Sequence, residues 1–141
     1  MIVWSRWRYR FLPIALVAIS ALPLSGCASD ARADTVHAGR EIRGQIELLR
    51  LVITADRATV PPVPSLSVTV RDAADELGSA DAADISDDRT RAALVSITDR
   101  AVGLAHRLDD TLGDGTDDGL DRIDADLQAL IAELARWGVA G

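Results

Sequence analysis

Four stretches of the chain repeat apolar residues every three or four positions, and each predicts one helix. In the first, Ile42, Ile46, Leu49 and Ile53 recur at helical spacing, and Leu48 and Val52 widen the same face. Arg40, Arg43, Glu47 and Arg50 fall on the other side, so the pattern predicts an amphipathic helix over about 34–56. Asp34 or Thr35 is placed to cap its start. Gly39 and Gly44 each cost roughly 1 kcal/mol relative to Ala, which is expected where another helix approaches closely. Leu51 lies off the main stripe and predicts contact on a second side of this helix.

The second stretch is shorter. Leu66, Val70, Ala73, Ala74 and Leu77 share a face and predict a helix over about 65–77, with Ser65 or Ser67 as cap and Gly78 just past its end. The run Val68-Thr69-Val70 would also suit a strand. Pro61, Pro62 and Pro64 separate the first two helices. They read as a stiff connector, with a proline-rich recognition segment as the other reading. Residues 79–86 read as a loop or frayed turn.

Leu94, Ile97, Ala101, Leu104 and Leu108 follow the three-four spacing of heptad a and d positions and predict a third helix over about 87–112. Asp87 and Asp88 favour its positive end. Gly113 to Gly119 reads as a turn. Leu120, Ile123, Leu127, Leu130, Leu134 and Trp137 then predict a fourth helix, capped by Asp117 or Asp118 and ended by Gly138. The expected fold class is all-α: a small antiparallel bundle of three long helices and one shorter one, occupying residues 34–141.

The N-terminal region follows a different pattern. Arg6, Arg8 and Arg10 precede an uncharged run from Phe11 to Leu24. That is the order of a secretory signal peptide. The run is short for a membrane span, which needs about 20 apolar residues, and Pro13 and Pro23 interrupt it. The run closes on Leu24-Ser25-Gly26-Cys27, which contains the single cysteine of the chain. Position by position these four residues match the lipobox: Leu, a small residue, Gly or Ala, then Cys. Here the chain resembles a bacterial lipoprotein precursor. The resemblance covers residues 1–27. It implies that residues 1–26 are a cleaved signal peptide and that Cys27 carries a diacylglyceryl thioether, with an N-acyl chain such as palmitate as an option. It also implies that the protein is held on the extracytoplasmic face of the cell membrane. Residues 27–33 then read as the acylated cysteine and a flexible tether.

Charge narrows the partners. The first 26 residues hold three of the 15 basic residues and none of the 22 acidic ones, so the remainder carries about −10. Nucleic acid requires a basic footprint and is not an expected partner. An anionic bilayer would repel the domain as a whole. Every basic residue is Arg. With the abundant Ala, Asp and Gly, this composition fits a GC-rich genome such as an actinobacterial one. Trp137 is the only aromatic residue after Phe11, so the domain has little to offer sugars or single strands by stacking.

Candidate chemistry is sparse. Asp114, Thr116 and Asp118 fall at positions 1, 3 and 5 of an EF-hand-like loop, with Gly119 at position 6. Position 12 would be Ala125 rather than a bidentate Glu. Asp121 is near enough to contribute, which leaves a weak Ca2+ candidate; a polar, cap-rich turn is the alternative. His37 lies near Asp34 and Glu41, and His106 lies one turn from Asp110; neither has the spacing of a zinc motif. Ser96 and Thr98 have no base nearby in sequence, and there is no nucleophile elbow or phosphate loop. No catalytic residues are expected. Asp109, Asp110, Asp121, Asp124 and Asp126 form an acidic face that reads either as solvated surface or as a site for a basic partner. Two function classes follow: a non-catalytic interaction or structural module of the cell envelope, contacting an envelope protein, or a binder of a small apolar ligand or lipid between its helices.

Overall fold

The computed structural model describes residues 24–58, 64–80, 82, 85–112 and 117–138, with side chains from Arg32 onward. Four helices follow in order: α1 (Leu24–Ala58), α2 (Pro64–Ser79), α3 (Asp88–Thr111) and α4 (Asp117–Arg136). No strand occurs among the described residues. Val68-Thr69-Val70 is helical: Val70 is buried and Val68 is exposed. The helical periodicity of the whole segment outweighs the β preference of three residues.

The helices close a ring. α1 packs against α2 and α4, α3 packs against α2 and α4, and α1 meets α3 across the short diagonal. Interhelical ion pairs give the directions. Arg50 and Arg57 of α1 reach Asp124 and Asp121 of α4, and Arg100 and Arg107 of α3 reach Glu133 and Asp126. Residue numbers rise along one helix as they fall along the other, so α4 is antiparallel to both α1 and α3.

The predicted stripes form the core. Ile42, Ile46, Leu49, Val52 and Ile53 of α1 are buried against Val70, Ala73, Ala74 and Leu77 of α2, the Leu94 to Leu108 stripe of α3 and the Leu120 to Leu134 stripe of α4. Leu48, Leu66, Leu112 and Trp137 pack at its edge. No polar or charged residue is buried among the described residues. Burial at roughly 25 cal/mol per Å² of apolar surface is therefore the main stabilising term, with no desolvated charge set against it.

Several boundaries differ from expectation. α1 begins at Leu24, ten residues before Asp34, so residues 28–33 are helical rather than a flexible tether. No Gly or Pro lies between Ala28 and Ala38, and Ala is the best helix former, so a helix nucleated in the bundle propagates back through them. Asp34 and Thr35 consequently lie inside α1 and do not cap it. α2 starts at Pro64, whose fixed φ suits a first helical position. Gly78 falls inside α2, not after it. α4 begins at Asp117, so Asp117, Asp118 and Gly119 belong to its first turn and not to the preceding turn. The two carboxylates there face the positive end of the helix dipole. Gly44 is exposed, with nothing within 4 Å of where a Cβ would sit, so none of the described helices approaches there. Leu51 is 64% exposed and, among the described residues, makes no second core contact.

Asp87, read from the sequence only as an acid at the positive end of α3, sits just before that helix, and Gly138 ends α4 as expected. Asp87 is the N-cap of α3; its side chain accepts from the Thr90 backbone N–H at 2.8 Å. Gly138 follows α4 with φ of 81°, a left-handed conformation that glycine adopts without a Cβ penalty. The α2–α3 connection contributes to the core. Ile85 is 1% exposed, its N–H donates to the Ala82 carbonyl at 3.2 Å, and its carbonyl accepts from Arg91 Nη1 at 2.9 Å.

Candidate functional site

α4 is a carboxylate rail between two arginine-bearing helices. On one flank, Arg50 Nε donates to Asp124 Oδ1 at 2.8 Å, and Arg57 donates to Asp121. On the other flank, Arg100 Nη2 donates to Glu133 Oε2 at 2.7 Å, and Arg107 lies 3.6 Å from Asp126. A third seam joins α2 to α3: Arg71 Nε donates to Asp109 Oδ2 at 2.8 Å, and the Ser67 hydroxyl donates to Oδ1 of the same carboxylate. The helical period sets this arrangement. Each pair sits beside the apolar stripe, where a long Arg lays its stem on the core edge and keeps its guanidinium in water.

The electrostatics follow the contacts. Hydrogen bonds from Ser67 and then Arg71 hold the Asp109 carboxyl below the usual carboxylate range, and the charges of Arg71 and His106 add to this against a desolvation cost. Thr90 lowers Asp87 in the same way, through its hydroxyl and its backbone N–H. Arg50 is raised above its ordinary value, first by its hydrogen bond to Asp124. All of these shifts favour the charged forms at neutral pH.

A shallow open groove of about 390 Å³ runs along the α3–α4 seam, lined by Arg100, Gly103, Leu104, Arg107, Asp126 and Leu130. Leu104 and Leu130 form its apolar floor. Gly103 is exposed, and nothing lies within 4 Å of its Cβ position, so the glycine leaves the groove open. The ion pairs to Glu133 and Asp126 stand at its two ends. The groove has room for a side chain or a short segment of a partner. Its rim presents both charge signs, which gives no preference for an anion or a cation.

Cys27 lies in the first turn of α1, and its side chain is outside the described residues. Of the Ca2+ candidates, Asp114 and Thr116 also lie outside them. Asp118 is exposed in the first turn of α4, and Asp121 is taken by Arg57, a cation already in place. Among the described residues no group of three or more His, Cys, Asp or Glu side chains is placed to hold a metal. His37 and His106 are exposed on different helices. Of the acidic face, Asp109, Asp121, Asp124 and Asp126 are each paired to an arginine of another helix. The arginine partners were individually visible in the sequence, but their pairing needs the helix directions.

No family model, curated protein or solved structure matches the chain.

Proposed function

We propose that this chain is a lipid-anchored protein of the cell envelope. Its helical bundle acts there as a non-catalytic interaction or structural module, on the extracytoplasmic face of the membrane. The observation that carries this is Leu24-Ser25-Gly26-Cys27, standing directly behind the uncharged run from Phe11 and the arginines before it. Acylation at Cys27 would supply two chains, and at roughly 0.8 kcal/mol per buried CH2 two chains anchor stably where one does not. No described helix is long and apolar enough to cross a membrane.

The interior favours an interaction module over a ligand carrier. The centre of the bundle is occupied by fully buried apolar side chains, including Ile46, Leu49, Leu94, Ile97, Leu108 and Leu127. The open groove lies outside, on the α3–α4 seam, where a partner protein rather than an enclosed lipid would reach it.

The test is intact-mass analysis of the full chain expressed in a bacterium and extracted from the membrane fraction. The expected product begins at Cys27 and carries the added mass of a diacylglyceryl group, and Cys27→Ser remains a full-length precursor. A soluble product with an unmodified thiol would overturn the assignment.

A further inference from the structure

α1 extends beyond the bundle it helps to build. Its first buried residue among those described is Ala38, yet its backbone stays helical back to Leu24. At the α-helical rise, the 35 residues of α1 span about 52 Å, against about 30 Å for the 20 residues of α4. The pairs Arg50–Asp124 and Arg57–Asp121 place the C-terminal end of α4 beside the N-terminal part of the α1 core. Arg89, in the first turn of α3, stands 6.0 Å from the Trp137 ring centroid, so the start of α3 and the end of α4 share that pole. The projecting part of α1 leaves the bundle there. Arg32, Ala33, Asp34 and His37 on it are exposed, while Thr35 and Val36 are half-buried where it meets the bundle.

We propose that this projection is a rigid stand-off that sets the height and facing of the bundle above the membrane. The inference rests on the proposed acylation of Cys27. From Cys27 to His37 the helix spans about 15 Å. The sequence contains nothing that breaks a helix there. It holds Ala28, Ala31 and Ala33 and no glycine or proline, and it extends a helix already nucleated in the bundle, so each added residue has only a small propagation cost. The Trp137 pole then faces the bilayer. The C-terminal end of α1 and the start of α4 face away, and the long sides of the bundle, including the α3–α4 groove, stay clear of the headgroups.

The experiment uses the full chain with one clickable amino acid carrying a donor dye, at position 118 on the far pole or position 136 on the near pole. The acylated protein is reconstituted in vesicles carrying an acceptor on the lipid headgroup. Energy transfer from position 136 is expected to exceed that from position 118 several-fold. Replacing Ala31→Gly, Arg32→Gly and Ala33→Gly together is expected to bring the ratio towards one while leaving the cooperative helical melt of the bundle in place. Equal transfer from both positions in the native chain, or a ratio that the glycines leave unchanged, would overturn the stand-off. A free Cys27 thiol by mass would count against the acylation alone. In that case a maleimide lipid is coupled to Cys27 of the same variants, and the same ratio decides the stand-off.

Discussion

Arg50 of α1 donates to Asp124 of α4 at 2.8 Å, across 74 positions of sequence. The carboxylate also accepts from Gln128 Nε2 at 3.0 Å, and Arg50 stands 3.5 Å from Glu47 on its own helix. Both partners are less than a third exposed, so the pair is screened less than a surface pair. A double-mutant cycle with Arg50→Met and Asp124→Asn should give a coupling energy of about 1 kcal/mol, at the upper end for partly exposed pairs. The same cycle on Arg107 and Asp126, at 3.6 Å and more exposed, should give about 0.3 kcal/mol or less. Urea melts of the single and double variants measure both.

Ile85 belongs to the connection between α2 and α3, yet it is as buried as the helical core. Ile85→Ala should destabilise the domain by about 2–4 kcal/mol, the cost of removing a buried branched side chain and leaving a cavity. Leu51→Ala, on the exposed side of α1, should change stability by less than about 0.5 kcal/mol. Thermal melts of the two variants under one condition check the contrast.

The Asp109 carboxyl is held below its ordinary value by Ser67 and Arg71. A depressed folded-state value contributes stability that is present above the unfolded carboxylate value, about 4, and is lost as the pH falls through the folded one. Stability should therefore drop on acidification below about pH 4. Ser67→Ala should flatten part of that drop by raising Asp109 towards its unfolded value. Denaturant melts at a series of pH values between neutral and strongly acidic read the slope directly. A slope identical in the Ser67→Ala variant would show that the hydroxyl does not hold the carboxylate.

Gly138 ends α4 at φ of 81°, where no Cβ contact would oppose a substitution and only backbone conformation does. Gly138→Ala should cost about 1 kcal/mol, the penalty of a left-handed residue with a Cβ. Loss of the Trp137 N–H bond to the Leu134 carbonyl would accompany fraying of this end. Trp137 is the only tryptophan outside the first seven residues, so its fluorescence in a chain with Trp4 and Trp7 replaced by Phe reports that fraying locally.

The helical period of Ile42 to Ile53, Leu94 to Leu108 and Leu120 to Leu134 is enough to name the elements and most of the core. A face that repeats every three or four residues has only one way to be buried, and it does not depend on which partner buries it. The Gly138 end of α4 is legible for the same reason: it ends its own helix locally. The proposed lipobox, Leu24-Ser25-Gly26-Cys27, likewise rests on adjacent residues alone. Tertiary structure decides what depends on helix direction and level. It pairs Arg50 with Asp124 and Arg71 with Asp109, turning much of an apparent acidic surface into seams between helices. It draws Ile85 inward from a polar connection, because the end of the bundle needs an apolar plug that no periodic pattern announces. It leaves Gly44 and Leu51 facing outward, because the ring of four helices covers only one side of α1.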